Sequence, residues 1–153
     1  TPAQRMIKQR AVIARHLEAG GTVIALGESQ SELWLPAVHF ARPPTNWWWW
    51  LTPGADLGVE LTDQARTHPL MRHIGKQDVT WHLHGWFTPP EGSTVLARDG
   101  EGRAILYMDA ISTAGTMVIS SLDPMYHHGS CFMPATTRFL DRFAPNLRAC
   151  ADA

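Results

Sequence analysis

The chain has 153 residues, 44% hydrophobic and 18% charged, with a formal net charge of -1. That size and apolar share suit one domain spanning residues 1–153 with a single core, and they exclude a disordered chain. A near-neutral charge supplies no field to hold nucleic acid or an anionic membrane, and no run of about 18 apolar residues marks a transmembrane helix.

Residues Ala3 to Ala19 read as a helix. Met6, Ile7, Ala11, Ile13, Ala14 and Leu17 form an apolar stripe between Lys and Arg, and Gly20-Gly21 stops it. Thr22 to Leu26 is a short apolar run with β-branched residues and no alternation, the pattern of a buried parallel strand. Gly27 ends it. Leu33 to Phe40 is apolar but broken by Pro36, and Arg42 to Asn46 is a loop by composition. Four consecutive tryptophans follow, Trp47 to Trp50. Gly58 to Thr62 is a candidate short strand, and His68-Pro69-Leu70 starts a turn or short helix. Asp78 to Phe87 alternates, with Val79, Trp81, Leu83, Gly85 and Phe87 on one face and Thr80, His82, His84 and Trp86 on the other. Thr94–Arg98 and Arg103–Met108 flank Asp99-Gly100-Glu101-Gly102, a hairpin signature. Thr116 to Leu122 is a further strand, ended by Asp123-Pro124. A helix from about Ala135 to Leu147 closes the chain, with Thr136 or Thr137 near its start and Phe139, Leu140 and Phe143 on one side.

This order predicts an α/β fold with a mixed sheet and an antiparallel hairpin. A doubly wound sheet ordinarily opens on a strand, whereas this chain opens on a helix at Thr1 without an initiator Met. The first strand or strands are therefore expected upstream. No signal peptide is legible. Cys131 and Cys150 make no disulfide framework, so a reducing, cytoplasmic setting is expected.

Several segments, in order, resemble the class I glutamine-amidotransferase-like superfamily, in its ThuA-like and non-catalytic branches. Leu17 to Gly27 looks like the family's helix, Gly-Gly, strand and sharp turn. His68-Pro69-Leu70 looks like the element before its hairpin. Gly92 to Ala97, Ala104 to Tyr107 and Gly115 to Ile119 resemble its later strands. Ser121 to Pro124 with Tyr126-His127-His128-Gly129 stands where the family's last strand delivers a histidine. The resemblance spans about residues 10 to 147 and implies a flavodoxin-like three-layer sandwich. It also implies that the glutaminase reaction is lost. The turn after Leu26 reads Gly27-Glu28-Ser29-Gln30-Ser31, without the nucleophilic cysteine. The family's late His-Pro-Glu triplet is absent too, with His127 and His128 in its place and no orienting glutamate.

Candidate chemistry gathers at three places. A strand-to-turn junction exposes side chains at the carboxyl edge of the sheet, where α/β proteins build sites. Ser29 there could be a nucleophile and Glu28 a base, with His127 or His128 as partner. The plainer reading is a polar turn with Ser29 or Ser31 as a helix cap, and no Gly-x-Ser-x-Gly elbow is present. His82 and His84, two apart on one strand, share a face, and with His127 they make a zinc-capable trio; the plainer reading is a half-exposed polar face. Asp123 beside His127 and His128 is an acid–base pair or a structural turn.

The four tryptophans cannot all be core, on either a strand or a helix. Trp48 and Trp49 are the ligand-binding candidates, through stacking. The segment Trp47–Trp50 is the expected contact with a second copy or a neighbouring domain. The leading expectation is a non-glutaminase binding or assembly module, within a larger protein. The alternatives are a hydrolase using Ser29 or Glu28 with His127, and a metal-dependent enzyme using His82, His84 and His127.

Overall fold

The computed structural model describes residues 1–42, 57–81, 83–129, 131 and 133–151. The tryptophan segment and His82 lie outside the described residues, and with them the expectations for Trp48 and Trp49.

The opening helix is two helices, α1 (Pro2–Lys8) and α2 (Arg10–Glu18). Thr1 accepts a hydrogen bond from the Gln4 N–H while the Gln4 side chain reaches back to the chain start, a reciprocal cap with Pro2 in the first turn. The break falls at Gln9, whose backbone leaves the helical region at ψ 4. Hydrophobic periodicity ran through this point and could not reveal it.

β1 (Thr22–Ala25) pairs parallel with β7 (Thr116–Ser120), as the sequence suggested. It differs from the expectation in position. Among the described residues it is the terminal strand of the sheet, with Thr22 and Ile24 exposed and Ala25 buried. Gly115 permits the close approach of β7 to α2: a Cβ there would stand 2.2 Å from the Gly21 carbonyl oxygen and 2.8 Å from that of Leu17.

The hairpin forms as read, from β5 (Thr94–Arg98) and β6 (Ala104–Asp109). Asp99 closes it by accepting from the Glu101 and Arg103 N–H groups and pairing with the Arg103 guanidinium. Three short strands complete the sheet: β2 (Phe40–Ala41), β3 (Glu60–Leu61) and β4 (Trp86–Phe87). β6 is the centre. β5 runs along one edge of it, and Ala104 pairs with both Arg98 and Phe87. β4 and β7 therefore share the other edge of β6 in succession.

The 78–87 segment is the main departure. Lys76–Asp78 is a single helical turn, and only Trp86–Phe87 is strand, with an isolated bridge between Leu83 and Leu122. The alternation nonetheless describes burial correctly: Val79, Trp81, Leu83 and Phe87 are buried, while Thr80 is exposed and His84 and Trp86 are half-buried. Period-two burial here comes from side-chain packing under an irregular backbone, not from a ladder.

Helices cover both sheet faces. Met117, Ile119 and Tyr107 pack with Leu17, Trp34 and Phe87 on the α2 side. Val118, Leu106 and Leu96 pack with Phe139 and Phe143 on the α5 side. α5 (Pro134–Ala151) is longer than predicted, continuing through Pro145, with Thr136 and Thr137 in its first turn. Phe139 and Phe143 are fully buried and stacked at 4.6 Å, each contributing about 1.5–3 kcal/mol of burial. Two short helices, α3 (Asp63–Thr67) and α4 (Pro124–Gly129), complete the described elements. The result is a mixed α/β fold. Among the described residues no helix is long and apolar enough to cross a membrane.

Candidate functional site

The carboxyl ends of β1 and β7 lie side by side, because their register is parallel from Thr22↔Thr116 to Ala25↔Ile119. Each strand then leaves the sheet by a turn, the place where α/β folds expose functional groups. After β7, Asp123 precedes α4 and caps it, its Oδ1 accepting from the Tyr126 N–H at 3.1 Å, with Pro124 opening the helix. One turn along, His127 is buried at 5% exposure. Trp81 meets it edge to face, the ring centroids 6.1 Å apart and the planes at 72°.

His84 arrives from the irregular segment. The Ser121 hydroxyl donates to the Gly85 carbonyl at 2.6 Å, and the His84 N–H donates to the Ser121 carbonyl at 3.2 Å. These bonds and the Leu83–Leu122 bridge hold the segment against the end of β7. The His84 Nε2 thereby lies 3.4 Å from the Asp123 Oδ2. Burial pushes the Asp123 carboxyl up, but the His84 hydrogen bond, the Tyr126 N–H and the nearby His84 and His127 charges together outweigh it, so its pKa falls below the ordinary value. Burial lowers the His127 pKa and the His84 charge adds to this, against the opposing pull of Asp123. His127 is thus biased toward neutral imidazole.

The turn after β1 meets this group through Gly27. Its φ of +66 is left-handed, and a Cβ would stand 2.7 Å from the Asp123 Cγ. Only glycine lets the two turns touch. Glu28 is paired with Arg42 at 2.5 Å. Ser29 is half-buried, its carbonyl accepting from the Trp34 indole at 2.9 Å. Gln30 takes a left-handed φ of 51, and Ser31 opens a single helical turn, Ser31–Leu33. The cavity beside this turn is about 10 Å³, lined by Gly27, Glu28, Arg42 and Phe87 among others, room for about one water.

The structure therefore brings together His84, Asp123 and His127, with Gly27 against Asp123. It does not bring Glu28 into that group, since its carboxylate is engaged by Arg42. His128 is exposed, its Nδ1 bonded to the Thr137 hydroxyl on α5 at 2.9 Å. Among the described residues no set of three His, Cys, Asp or Glu side chains is gathered for a metal ion. The zinc trio included His82, which lies outside them. The pairing of His84 with Asp123 was missed in the sequence reading. The residues are 39 positions apart (123 minus 84), and only the bridge between Leu83 and Leu122 makes them neighbours.

No family model matches the chain, and no curated protein matches it. Among solved structures, a cytoplasmic protein of Salmonella typhimurium LT2 (STM1381) is similar at a TM-score of 0.59 and 18% identity, over 93% of this chain and 60% of that one. An exo-β-1,4-mannosidase of Opitutaceae bacterium strain TAV5 (Op5Man5) aligns at a TM-score of 0.48 and 14% identity, over 90% of this chain and 22% of that one. The chain spans 60% of the length of the Salmonella protein, and at 18% identity that likeness establishes a shared fold and nothing of function.

Proposed function

We propose that this chain forms a flavodoxin-like, class I amidotransferase-like three-layer domain that acts as a cytoplasmic binding or assembly module and performs no glutaminase reaction. One observation carries the reading. At the turn where a glutaminase needs a cysteine thiolate, Glu28 is tied to Arg42 beside a cavity of about 10 Å³. The turn carries no nucleophilic sulfur, and the cavity formed there by the described residues has no room for a glutamine side chain. Cys131 and Cys150 are exposed and lie beyond β7, on the far side of the sequence from that turn. The contact with a partner domain or a second copy is assigned to the Trp47–Trp50 segment, where four rigid aromatic rings offer large area at low entropic cost.

A second reading, a hydrolase using Ser29 with His127 as base, is favoured by the neutral bias of His127 next to an ionised Asp123. Ammonia release from glutamine and hydrolysis of p-nitrophenyl acetate, measured on the whole chain and on Ser29→Ala and His127→Ala, separate the two. The module reading expects no glutamine turnover and an ester background identical in all three proteins. Ester hydrolysis that falls at least tenfold in both variants would transfer the assignment to the hydrolase.

A further inference from the structure

A further cavity lies at the opposite end of the strands from Asp123 and His127. It sits between the first residues of β1 and β7, the Pro69–Met71 turn and the carboxyl end of α5, with a volume of about 400 Å³. Its walls are apolar: Leu70 and Val118 are buried, and Met108 and Leu147 are half-buried around it. Among the described residues no acidic side chain lines it. Two groups give its mouth hydrogen-bond donors, one of them charged. Arg72 is exposed, and its guanidinium makes no ion pair with any described residue. His68 uses Nδ1 to accept the Leu70 N–H at 3.2 Å, which puts the proton of its neutral ring on Nε2 as a donor.

We propose that this cavity binds a small amphipathic carboxylate, with the hydrocarbon tail against Leu70, Met108, Val118 and Leu147 and the carboxylate at Arg72 and His68. Volume and chemistry agree. Cavities that hold small molecules run from roughly 300 to 1,000 Å³ and are mostly apolar with a few convergent polar groups. At interior packing density the space accepts a tail of about eight to ten carbons. Arg is the side chain that meets a carboxylate with two parallel N–H donors, and a cationic ligand would find no counter-charge among the described lining residues. The inference does not depend on the reading of the Gly27–His127 rim, which is at the other end of the strands.

Cys150, exposed and part of the lining, is a built-in reporter. On the Cys131→Ser background, the rate of Cys150 modification by a maleimide is measured with decanoate, decanol and decylamine, alongside calorimetric titration of each. Decanoate is expected to slow modification at least fivefold and to bind at least tenfold tighter than decanol, with no binding of decylamine. Arg72→Gln should weaken decanoate at least tenfold while leaving decanol unchanged. Ala149→Trp, on the exposed helix face, should fill the space and abolish both protection and binding with the far-UV circular dichroism retained. His127→Ala should bind decanoate normally, which keeps this test separate from the rim. Equal binding of decanoate and decanol, indifference to Arg72→Gln, or no binding at millimolar decanoate would overturn the proposal. So would concentration-dependent dimerisation that protects Cys150 without ligand, since a second copy would then be the occupant.

Discussion

Asp78 offers the sharpest test of how the candidate site is held. It is fully buried, and its carboxylate accepts from the Gly75 N–H at 2.9 Å, from the Arg138 Nε at 3.1 Å and from the Arg142 Nη1 at 2.5 Å. It thus ties the 75–78 turn to α5. Its own carbonyl accepts the Trp81 indole N–H at 2.6 Å, and Trp81 is the ring that faces His127. Removing one partner of a fully buried ion pair costs about 3–5 kcal/mol. Here the two arginine side chains are 44% and 37% exposed, so water recovers part of their charge when the carboxylate goes. The expectation for Asp78→Ala is therefore reduced to about 2–3 kcal/mol, with the freed Gly75 N–H included. In a domain of this size that corresponds to a fall in Tm of roughly 5–10 °C. Asp78→Asn keeps an acceptor for Gly75 and should lose about half as much. Urea unfolding followed by tryptophan fluorescence measures both variants. A double-mutant cycle with Arg142→Ala should show coupling of about 1 kcal/mol. A loss below about 0.5 kcal/mol for Asp78→Ala, or strict additivity with Arg142→Ala, would refute the argument that this carboxylate bears the turn.

Two further outcomes follow from the rim. Gly27→Ala combines a left-handed backbone with a Cβ 2.7 Å from the Asp123 Cγ, so it should cost about 2–3 kcal/mol and displace Asp123 from His84; chemical-shift titration of the His84 ring, unchanged from the parent, would contradict this. Acidification should destabilise the fold with one sign throughout. The His127 pKa is lowered in the folded state, so its contribution is complete above the unfolded value of 6.5 and fades as pH falls from there toward the folded value. The Asp123 pKa is also lowered, so its contribution is present above the unfolded carboxylate value of 3.8 and is lost as pH falls through the folded one. Urea stability measured from pH 7.5 to 3 should decline across both windows, with His127→Gln flattening the upper window and Asp123→Asn the lower; a flat profile in the parent chain would contradict the assignment.

The sequence by itself determined the features that depend on near neighbours. The β5–β6 hairpin was legible because Asp99 and the two glycines specify a turn, and flanking apolar runs specify strands. α5 was legible from Phe139 and Phe143, one turn apart on a single face. The parallel character of β1 followed from a β-branched run between a helix and a glycine, and burial along Val79 to Phe87 followed from alternation alone. What only the tertiary structure decided is everything that joins distant segments. Whether Val79 to Phe87 forms a ladder depends on a partner strand, and β4 finds partners only at Trp86 and Phe87. The edge position of β1 depends on which strands lie beside it, and the chain carries no local mark of that. The meeting of His84 with Asp123, and of Gly27 with Asp123, rests on hydrogen bonds and packing between residues dozens of positions apart. Such contacts form only once the sheet has been assembled, so a one-dimensional pattern holds no record of them.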